Sequence, residues 1–284
     1  RTLGLVGESG CGKTTTARTV LRALEPTGGE VVFRSADGPV DLATVPTSEL
    51  KPLRRQMQMI FQDPFSSLNP RMTVGDIIGE PLLIHRIGTP RERKDRVAEM
   101  LRAVGLDPDQ MVRYPHAFSG GQRQRIGIAR ALILKPSLVI ADEPVSALDV
   151  SVQAQVINLL EDLQEELDLT YIVVAHDLGV VNHIADSVAV MYAGRIVEYG
   201  PTEPVFRSPK HPYTQALVSA IPQPDPDIKM DPEAAGEVAD PSNLPPGCPF
   251  HPRCSRCMGA CREGEPPVLR EIEKGYRLSC HLFA

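Results

Sequence analysis

The chain has 284 residues, of which 42% are hydrophobic and 23% are charged, with a formal net charge of -6. This balance excludes an intrinsically disordered chain and argues against a protein held to nucleic acid by bulk positive charge. Aromatic residues make up only 5% and tryptophan is absent, so we expect a core of Leu, Ile, Val and Ala. The length suffices for one large core or two smaller ones.

The sequence predicts no membrane-spanning helix, because it contains no run of about 18 apolar residues. Residues 1–6 lack the charged and apolar regions of a signal peptide. We therefore expect the chain to stay in the cytosol or on the cytosolic face of a membrane.

Short apolar runs alternate with helical patterns over residues 1–221. Four uninterrupted runs rich in β-branched residues predict strands buried on both faces: Leu3–Val6, Leu138–Ala141, Tyr171–Val174 and Val188–Tyr192. Apolar residues at helical spacing over 97–104 and 152–167 predict amphipathic helices. This alternation predicts an α/β fold with a mostly parallel sheet.

A phosphate-binding loop is predicted between the first strand and a helix-compatible stretch, Thr15–Leu24. Residues 7–14 read Gly-Glu-Ser-Gly-Cys-Gly-Lys-Thr and fit G-x-x-x-x-G-K-[ST] at every fixed position. Backbone N–H groups would surround the phosphates, Lys13 would reach the β- and γ-phosphates, and Thr14 would ligate Mg²⁺. We interpret Cys11 as a small filler at a variable position. The predicted nucleotide-binding residues here are Gly7, Ser9, Gly10, Cys11, Gly12, Lys13, Thr14 and Thr15.

Two carboxylates directly follow the apolar run 138–141. Asp142 is placed to hold Mg²⁺ through water, and Glu143 is placed to orient and polarise an attacking water molecule. A phosphate-binding loop alone is compatible with a kinase, a GTPase or many ATPases, so the choice between them depends on the remaining motifs.

Further motifs resemble those of ATP-binding-cassette (ABC) ATPases and occur in that family's order. Residues 118–125, Phe-Ser-Gly-Gly-Gln-Arg-Gln-Arg, look like the signature motif. Gln62 matches the Q-loop, residues 146–149 match the D-loop, and His176 matches the switch histidine. The resemblance covers residues 3 to about 200. It implies a P-loop NTPase fold, with a RecA-like core, a helical subdomain over about 63–135, and the family's first strands missing from this chain.

The resemblance also implies roles for single residues. ATP would lie between the phosphate loop of one ATPase and the signature motif of a second, so that the signature residues of this chain contact the partner's nucleotide: Ser119, Gly120, Gly121 and Gln122. Asp149 would link the two sites. The implied catalytic residues are Glu143, His176 and Gln62, and the implied Mg²⁺ residues are Thr14, Gln62 and Asp142.

Longer stretches resemble the ATPases of di- and oligopeptide importers, a group that includes nickel and glutathione importers: residues 61–72, 143–155 and 211–217. Such importers use two different ATPase subunits, and Gln122 with the Val145-Ser146 pair resembles the second, or F-type, subunit. The resemblance implies a heterodimer with a second ABC ATPase, two transmembrane permease subunits and an extracytoplasmic substrate-binding protein. The chain would be peripheral on the cytoplasmic face of the inner membrane and would not bind nucleic acid.

The last part of the chain divides into an acidic, proline-rich stretch over 222–246, predicted as a linker, and a cysteine-rich domain over 247–284. Four cysteines match positions that recur in the same subfamily, and Cys257 is an extra one: Cys248, Cys254, Cys261 and Cys280. Four thiolates suit Zn²⁺ or an iron–sulfur cluster. These four form no C-x₂₋₄-C pair, which disfavours structural zinc, and the resemblance implies a [4Fe–4S] cluster. Zn²⁺ and free thiols remain alternatives.

Two other functions are kept as alternatives. The first is an ABC ATPase that acts on nucleic acid or the ribosome. Such proteins carry two cassettes or a long coiled-coil insertion, whereas 56 residues separate Gln62 from Ser119 here. We interpret Arg123, Arg125 and Arg130 as a helix face rather than a nucleic-acid patch. The second is a redox or iron sensor in the tail that gates the ATPase, which nothing in the sequence tests.

Overall fold

A computed structural model of the chain describes residues 1–221, 239, 241 and 243–283. Most of the predicted linker over 222–246 lies outside the described residues. The strands are β1 (Thr2–Val6), β2 (Val32–Ser35), β3 (Gly38–Asp41), β4 (Met57–Ile60), β5 (Leu138–Asp142), β6 (Thr170–Ala175), β7 (Ser187–Tyr192), β8 (Arg195–Pro201), β9 (Arg270–Glu273) and β10 (Tyr276–Leu278). The helices are α1 (Lys13–Val20), α2 (Leu50–Arg54), α3 (Val74–Ile84), α4 (Pro90–Ala103), α5 (Gly120–Leu132), α6 (Val150–Leu167), α7 (Leu178–Ile184), α8 (Thr202–Arg207), α9 (Pro212–Ser219) and α10 (Gly259–Arg262).

The chain folds into two compact units. The first unit comprises Arg1 and residues 15–172, and the second comprises residues 2–14 and 173–284. The second unit is therefore discontinuous in sequence, since β1 and the phosphate loop fold together with the C-terminal part of the chain.

Strand pairing in the first unit follows the buried apolar runs. β4 pairs in parallel with β5, with Ile60 opposite Ala141. Val139 and Ile140 in β5 are fully buried, as expected for a strand covered on both faces. β2 and β3 form a separate antiparallel hairpin, with Phe33 opposite Val40.

Helices α3, α4 and α5 lie within the predicted helical subdomain, and each begins at a side-chain cap. Thr89 and Glu92 form a capping box at α4, and Thr73 accepts a hydrogen bond from the backbone of α3. Such caps satisfy N–H groups that have no partner within a helix. The three helices bury apolar residues at helical spacing: Val74, Ile77, Ile78 and Leu82 in α3, Val97, Met100 and Leu101 in α4, and Ile126, Ile128, Ala129 and Leu132 in α5.

The arginines of α5 make contacts inside their own unit. Arg125 donates to the carbonyl of Val104, and Arg130 donates to the carbonyl of Ser67, each at 2.7 Å. The Arg123 guanidinium lies 4.2 Å from the ring centroid of Phe65. These contacts agree with the interpretation of the three arginines as a helix face.

The second unit contains a mixed sheet. β1 pairs in parallel with β7, with Val6 opposite Val190. β8 runs antiparallel to β7, β10 runs antiparallel to β8, and β9 runs antiparallel to β10. The four strands predicted from apolar runs are present as β1, β5, β6 and β7, with bounds that agree to within one residue at each end. The α/β fold class is therefore confirmed.

The cysteine-rich residues share a core with the sheet of the second unit. Cys248, Phe250 and Cys261 are buried in one cluster with apolar residues that precede the predicted linker. Those residues include Val190, Tyr192, Val197, Val205 and Tyr213. The packing of the tail therefore depends on residues from the sheet as well as on its own.

Helix α1 differs from the prediction. It begins at Lys13, inside the phosphate-loop motif, and ends at Val20 rather than continuing to Leu24. Arg22 adopts a left-handed conformation with φ 53°. Its N–H donates to the carbonyl of Thr19, and the N–H of Ala23 donates to the carbonyl of Arg18. This pair of bonds is a Schellman motif, which ends a helix by satisfying its last carbonyls.

Among the described residues, no helix combines the length and the apolar character needed to cross a membrane.

Adjacent leucines of α3 give a test of the buried helix face. Leu82 is 0% exposed, whereas Leu83 is 60% exposed. We expect Leu82→Ala to lower the free energy of unfolding by about 2–5 kcal/mol, because it leaves a cavity. The matched control, Leu83→Ala, should change it by less than about 0.5 kcal/mol. Urea denaturation of both variants measures the difference, and similar losses would contradict the placement of this face.

His211 is a buried titratable side chain in the second unit, with 1% of it exposed. Its Nδ1 accepts a hydrogen bond from the N–H of Tyr213 at 3.0 Å, which caps α9. Burial lowers the pKa of His211 to about 4. The folded protein therefore holds this imidazole in its neutral form at physiological pH.

This lowered pKa predicts a pH dependence of stability. As the pH falls below about 6.5, the unfolded chain binds a proton at this histidine and the folded chain does not. The contribution of neutral His211 to the free energy of unfolding is therefore complete above about pH 6.5, and it is lost progressively as the pH falls toward 4. Urea unfolding midpoints from pH 8 to pH 4.5 should show a smaller loss for His211→Asn, which keeps a capping acceptor. An equal loss in both proteins would contradict the prediction.

Candidate functional site

The phosphate loop follows β1 and requires glycine where its backbone turns. Gly10 and Gly12 have φ angles of 79° and 105°, in the region that favours glycine. A Cβ atom on Gly7 would lie 2.2 Å from the carbonyl oxygen of Met191. The loop geometry thus depends on these glycines.

Lys13 lies against the inner side of this loop and is 6% exposed. Its Nζ donates to the carbonyls of Gly7 at 2.7 Å and Glu8 at 2.9 Å. Cys11 is 1% exposed, and burial raises the pKa of its thiol. A buried thiol with a raised pKa agrees with the interpretation of Cys11 as a filler.

The other predicted residues around the phosphate loop and after β6 lie closer to solvent; of these, Thr15 belongs to the first unit. Ser9, at the loop tip, is exposed, Thr14 is half-buried at the start of α1, and Thr15, the next residue along the helix, is exposed. His176 is exposed and directly follows β6.

In the first unit, strand pairing brings the Q-loop glutamine to the predicted catalytic carboxylate. Ile60 and Ala141 are opposite each other, and Gln62 and Glu143 each lie two residues further along. The Nε2 of Gln62 donates to Oε2 of Glu143 at 2.8 Å. Two residues separated by 81 positions in sequence thus meet at the carboxyl ends of paired parallel strands.

The carboxylates of Asp142 and Glu143, at the end of β5, differ in their environments. Asp142 ends the strand and is 2% exposed, whereas Glu143 is half-buried. Glu143 has a φ angle of 47°, a left-handed conformation that is uncommon for a residue with a side chain. Backbone strain of this kind costs about 1–3 kcal/mol and clusters at functional sites.

The signature motif forms the start of α5. The Ser119 side chain accepts from the N–H of Gln122, and Oε1 of Gln122 accepts from the N–H of Ser119 at 3.0 Å. This capping box leaves Ser119 exposed at the helix N-terminus. The motif therefore has a structural role as a cap and also faces solvent.

The signature motif packs against the D-loop and the start of α6. A Cβ atom on Gly121 would lie 2.5 Å from Val152, and one on Gly120 would lie 3.5 Å from Leu148. Asp149 caps α6 by accepting from the N–H of Val152 at 3.0 Å. Hydrogen bonds from the backbone of Val152 and then from the Ser151 side chain hold the pKa of Asp149 below its usual value.

The four matched cysteines lie near one another in the tail. The N–H of Cys248 donates to the carbonyl of Cys261 at 2.9 Å. Burial raises the pKa of Cys248 to about 11, and the thiols of Cys261, Cys280 and Cys254 raise it further. Nevertheless, across the described ranges no group of three or more His, Cys, Asp or Glu residues has a metal-binding arrangement. The geometry therefore does not support the predicted iron–sulfur cluster or zinc site.

Sequence reasoning missed three residues that contact the phosphate loop or belong to it. Glu8, a variable position of the motif, is paired with Arg253 of the tail, and its backbone N–H donates to the hydroxyl of Tyr213. The sequence separations are 245 and 205 residues. In sequence, the His-Pro-Tyr stretch carries only a family resemblance, and no local spacing reveals these contacts.

Two family models match the chain in separate segments. Residues 1–146 match the family described as ABC transporter. Residues 197–261 match the family described as oligopeptide/dipeptide transporter, C-terminal region.

Relatives match the chain over nearly its whole length. A putative peptide import ATP-binding protein of Brucella ovis is 53% identical over 279 residues, covering 98% of this chain and 86% of the relative. The oligopeptide transport ATP-binding protein AppF of Bacillus subtilis is 50% identical over 287 residues, covering 100% and 86%. A solved dimeric, post-hydrolysis structure of the ATP-binding cassette MJ0796 with ADP and Pi is 29% identical, with a TM-score of 0.63 over 71% of this chain and 85% of that chain.

Proposed function

The chain belongs to the ABC transporter ATP-binding proteins, and on this premise we propose that it hydrolyses ATP to drive the import of di- or oligopeptides through partner membrane subunits. The observation that carries the ATPase part is the hydrogen bond between Gln62 and Glu143. The match of residues 197–261 to the oligopeptide/dipeptide transporters supports the peptide part.

The proposed site assigns ATP to the phosphate loop. The loop's backbone N–H groups would bind the phosphates, and Lys13 would exchange its contacts with the carbonyls of Gly7 and Glu8 for the β- and γ-phosphates. The remaining nucleotide-binding residues proposed for the loop are Ser9, Gly10, Cys11, Gly12, Thr14 and Thr15.

Glu143 would act on the attacking water. Its carboxylate would accept a proton from the water as the oxygen attacks the γ-phosphate and the bond to the ADP oxygen breaks. The amide of Gln62 would position that carboxylate, and His176 would hold the γ-phosphate. The amide of Gln62 donates to one oxygen of Glu143, which agrees with a coupled pair.

A Mg²⁺ ion suits the oxygen-bearing side chains of this site. The Thr14 hydroxyl, the Gln62 amide oxygen and the Asp142 carboxylate are the proposed ligands, directly or through water. The carboxylate of Asp142 is buried, and a buried charge is expected to be paired or to coordinate a metal. The ion would neutralise charge on the phosphates.

We propose a second ATPase subunit as the partner of the signature motif. Ser119 and Asp149 are exposed, and Val150 beside them is 81% exposed. The capping box orients the Ser119–Gln122 turn outward, where a partner's γ-phosphate could bind. The F-type assignment, which rests on Gln122 and the Val145-Ser146 pair, predicts that this partner is a different chain.

Two groups of exposed apolar side chains in the first unit suit the permease subunits. Phe61 and Phe65, on either side of the Q-loop, are 42% and 57% exposed. Leu83 and Val112 are 60% and 71% exposed and line a cavity of about 650 Å³. Exposed apolar residues of this size favour a protein interface. We propose that the permease binds here, so that the chain is peripheral on the cytoplasmic face of the membrane.

For the tail we propose, from the resemblance, a [4Fe–4S] cluster held by Cys248, Cys254, Cys261 and Cys280, with Zn²⁺ as the alternative. The thiols would have to move together to ligate it, because in the described residues they are not arranged around one ion. The support is the proximity of these thiols: burial is the first cause that raises the pKa of Cys248, Cys254 and Cys280, and neighbouring thiols contribute to each rise. Thiolates are soft ligands that select iron–sulfur clusters and zinc. We also propose the domain bounds 1–221 for the ATPase, 222–246 for the linker and 247–284 for the tail.

Replacing the proposed base separates binding from hydrolysis. We expect Glu143→Gln to bind ATP like the wild type and to lose at least about 100-fold in ATP turnover when assembled with its membrane partners. Phosphate release and equilibrium ATP binding are the two measurements.

The matched control is Glu165→Gln, an exposed position on α6, which should keep full turnover. Normal turnover in Glu143→Gln would show that another group activates the water.

Metal analysis of protein purified without oxygen tests the tail. A cluster predicts iron and acid-labile sulfide with broad visible absorption, and each of the four Cys→Ser variants should lose them. Cys257→Ser is the control and should keep them. A colourless protein with zinc or no metal would rule out the cluster and leave the ATPase proposal unchanged.

A further inference from the structure

Glu8 of the phosphate loop is held by residues from the distant end of the chain. Nη1 of Arg253 lies 2.8 Å from Oε2 of Glu8, and Nη2 lies 2.8 Å from Oε1. The backbone N–H of Glu8 donates to the hydroxyl of Tyr213 at 2.9 Å. Two parallel hydrogen bonds between a guanidinium and a carboxylate fix geometry more strictly than a single contact between charges.

This ion pair is shielded from solvent. The side chains of Arg253 and Glu8 are 6% and 25% exposed. In the same unit, the pair between Arg207 and Glu203 is 80% and 70% exposed. Exposed pairs contribute little, whereas removing one partner of a buried pair leaves an uncompensated charge. The Glu8 pair is therefore the one whose disruption should be felt.

Arg253 is itself fixed by an aromatic cluster. Its guanidinium carbon lies 5.8 Å from the ring centroid of Phe250 and 5.9 Å from that of Tyr192. The ring of Tyr192 meets those of Phe250 and Tyr213 at 5.2 Å and 4.7 Å. The tail thus presents its arginine to the loop from a packed surface.

Every polar group of Glu8 has a partner. Its carboxylate pairs with Arg253, its N–H donates to Tyr213, and its carbonyl accepts from Lys13 at 2.9 Å. The contacts with Arg253 and Tyr213 do not depend on Lys13, so they restrict the φ and ψ of Glu8 even when Lys13 turns to the phosphates. The next N–H groups of the loop, which would face the phosphates, take their direction from it.

We propose that Arg253 is a positioning residue for ATP binding: by holding Glu8, the cysteine-rich tail keeps the phosphate loop in its binding conformation. This inference rests on the proposed function, since it assumes that the loop binds ATP. Loss of Arg253 frees the loop and leaves the Glu8 carboxylate unpaired near the bound phosphates. Both effects weaken ATP binding, and neither removes a group that acts on the water.

A double-mutant cycle on the full chain tests this. We expect Arg253→Ala to raise the Kd for MgATP about tenfold, within the usual range of coupling between sites. In the transporter, the KM for ATP should rise similarly, and kcat should change less than about twofold. Arg253→Lys keeps the charge without the planar guanidinium, so its Kd for MgATP should lie between those of the wild type and Arg253→Ala. The double variant Glu8→Gln/Arg253→Ala should bind MgATP no more weakly than Arg253→Ala alone, because the effects of substitutions at coupled residues are not additive.

The matched control is Arg207→Ala, which removes the exposed pair and should leave the Kd unchanged. Thermal unfolding of each variant establishes that it is folded at the assay temperature. An unchanged Kd for MgATP in folded Arg253→Ala would overturn the inference. So would a double variant whose rise in Kd equals the product of the rises caused by Glu8→Gln and Arg253→Ala separately. A wild-type chain that fails to bind MgATP would instead overturn the proposed function on which the inference rests.

Discussion

The pairing of parallel strands is the constraint on which the candidate residues of each unit depend. Ile60 and Ala141 lie opposite each other in the β4–β5 pair. Gln62 and Glu143 each follow two residues later, and this register brings them into contact. Val6 and Val190 lie opposite each other in the β1–β7 pair. The next residues are Gly7 and Met191, and only glycine fits at position 7 because a Cβ atom there would clash with the Met191 backbone. A register shift of one residue would turn the wrong side chains inward in either pair.

Sequence alone predicted what local patterns determine. Buried strands such as β5 and β7 correspond to apolar runs in the sequence, and Ser119, which precedes α5, is a residue type that commonly caps helices. Sequence did not predict the hairpin β2–β3, whose four-residue strands mix apolar and polar residues and are mostly partly or fully exposed. The end of α1 was also missed, since a left-handed Arg22 leaves no composition signal of the kind that glycine gives.

Contacts between distant segments could not be read from spacing. The motif at residues 7–14 predicted a phosphate loop, but it treats Glu8 as a variable position. In the fold, Glu8 is the point at which Arg253 and Tyr213 reach the loop. The tail was interpreted from its cysteines, while its arginine, which no motif singles out, makes the contact with the nucleotide loop. A variable position in a motif can thus carry a constraint set by a distant part of the same chain.

The 245 residues between Glu8 and Arg253 also set an order of events during synthesis. At about 5–20 residues per second, the ribosome adds Arg253 roughly 12–50 s after Glu8. β7, the parallel partner of β1, is likewise made late. Until β7 is made, the nascent chain carries the complete phosphate-loop sequence without that strand, and until residue 253 is added it also lacks the arginine. An interrupted chain would lack these supports, so the contacts that hold Glu8 of the phosphate loop exist only in chains translated through the tail.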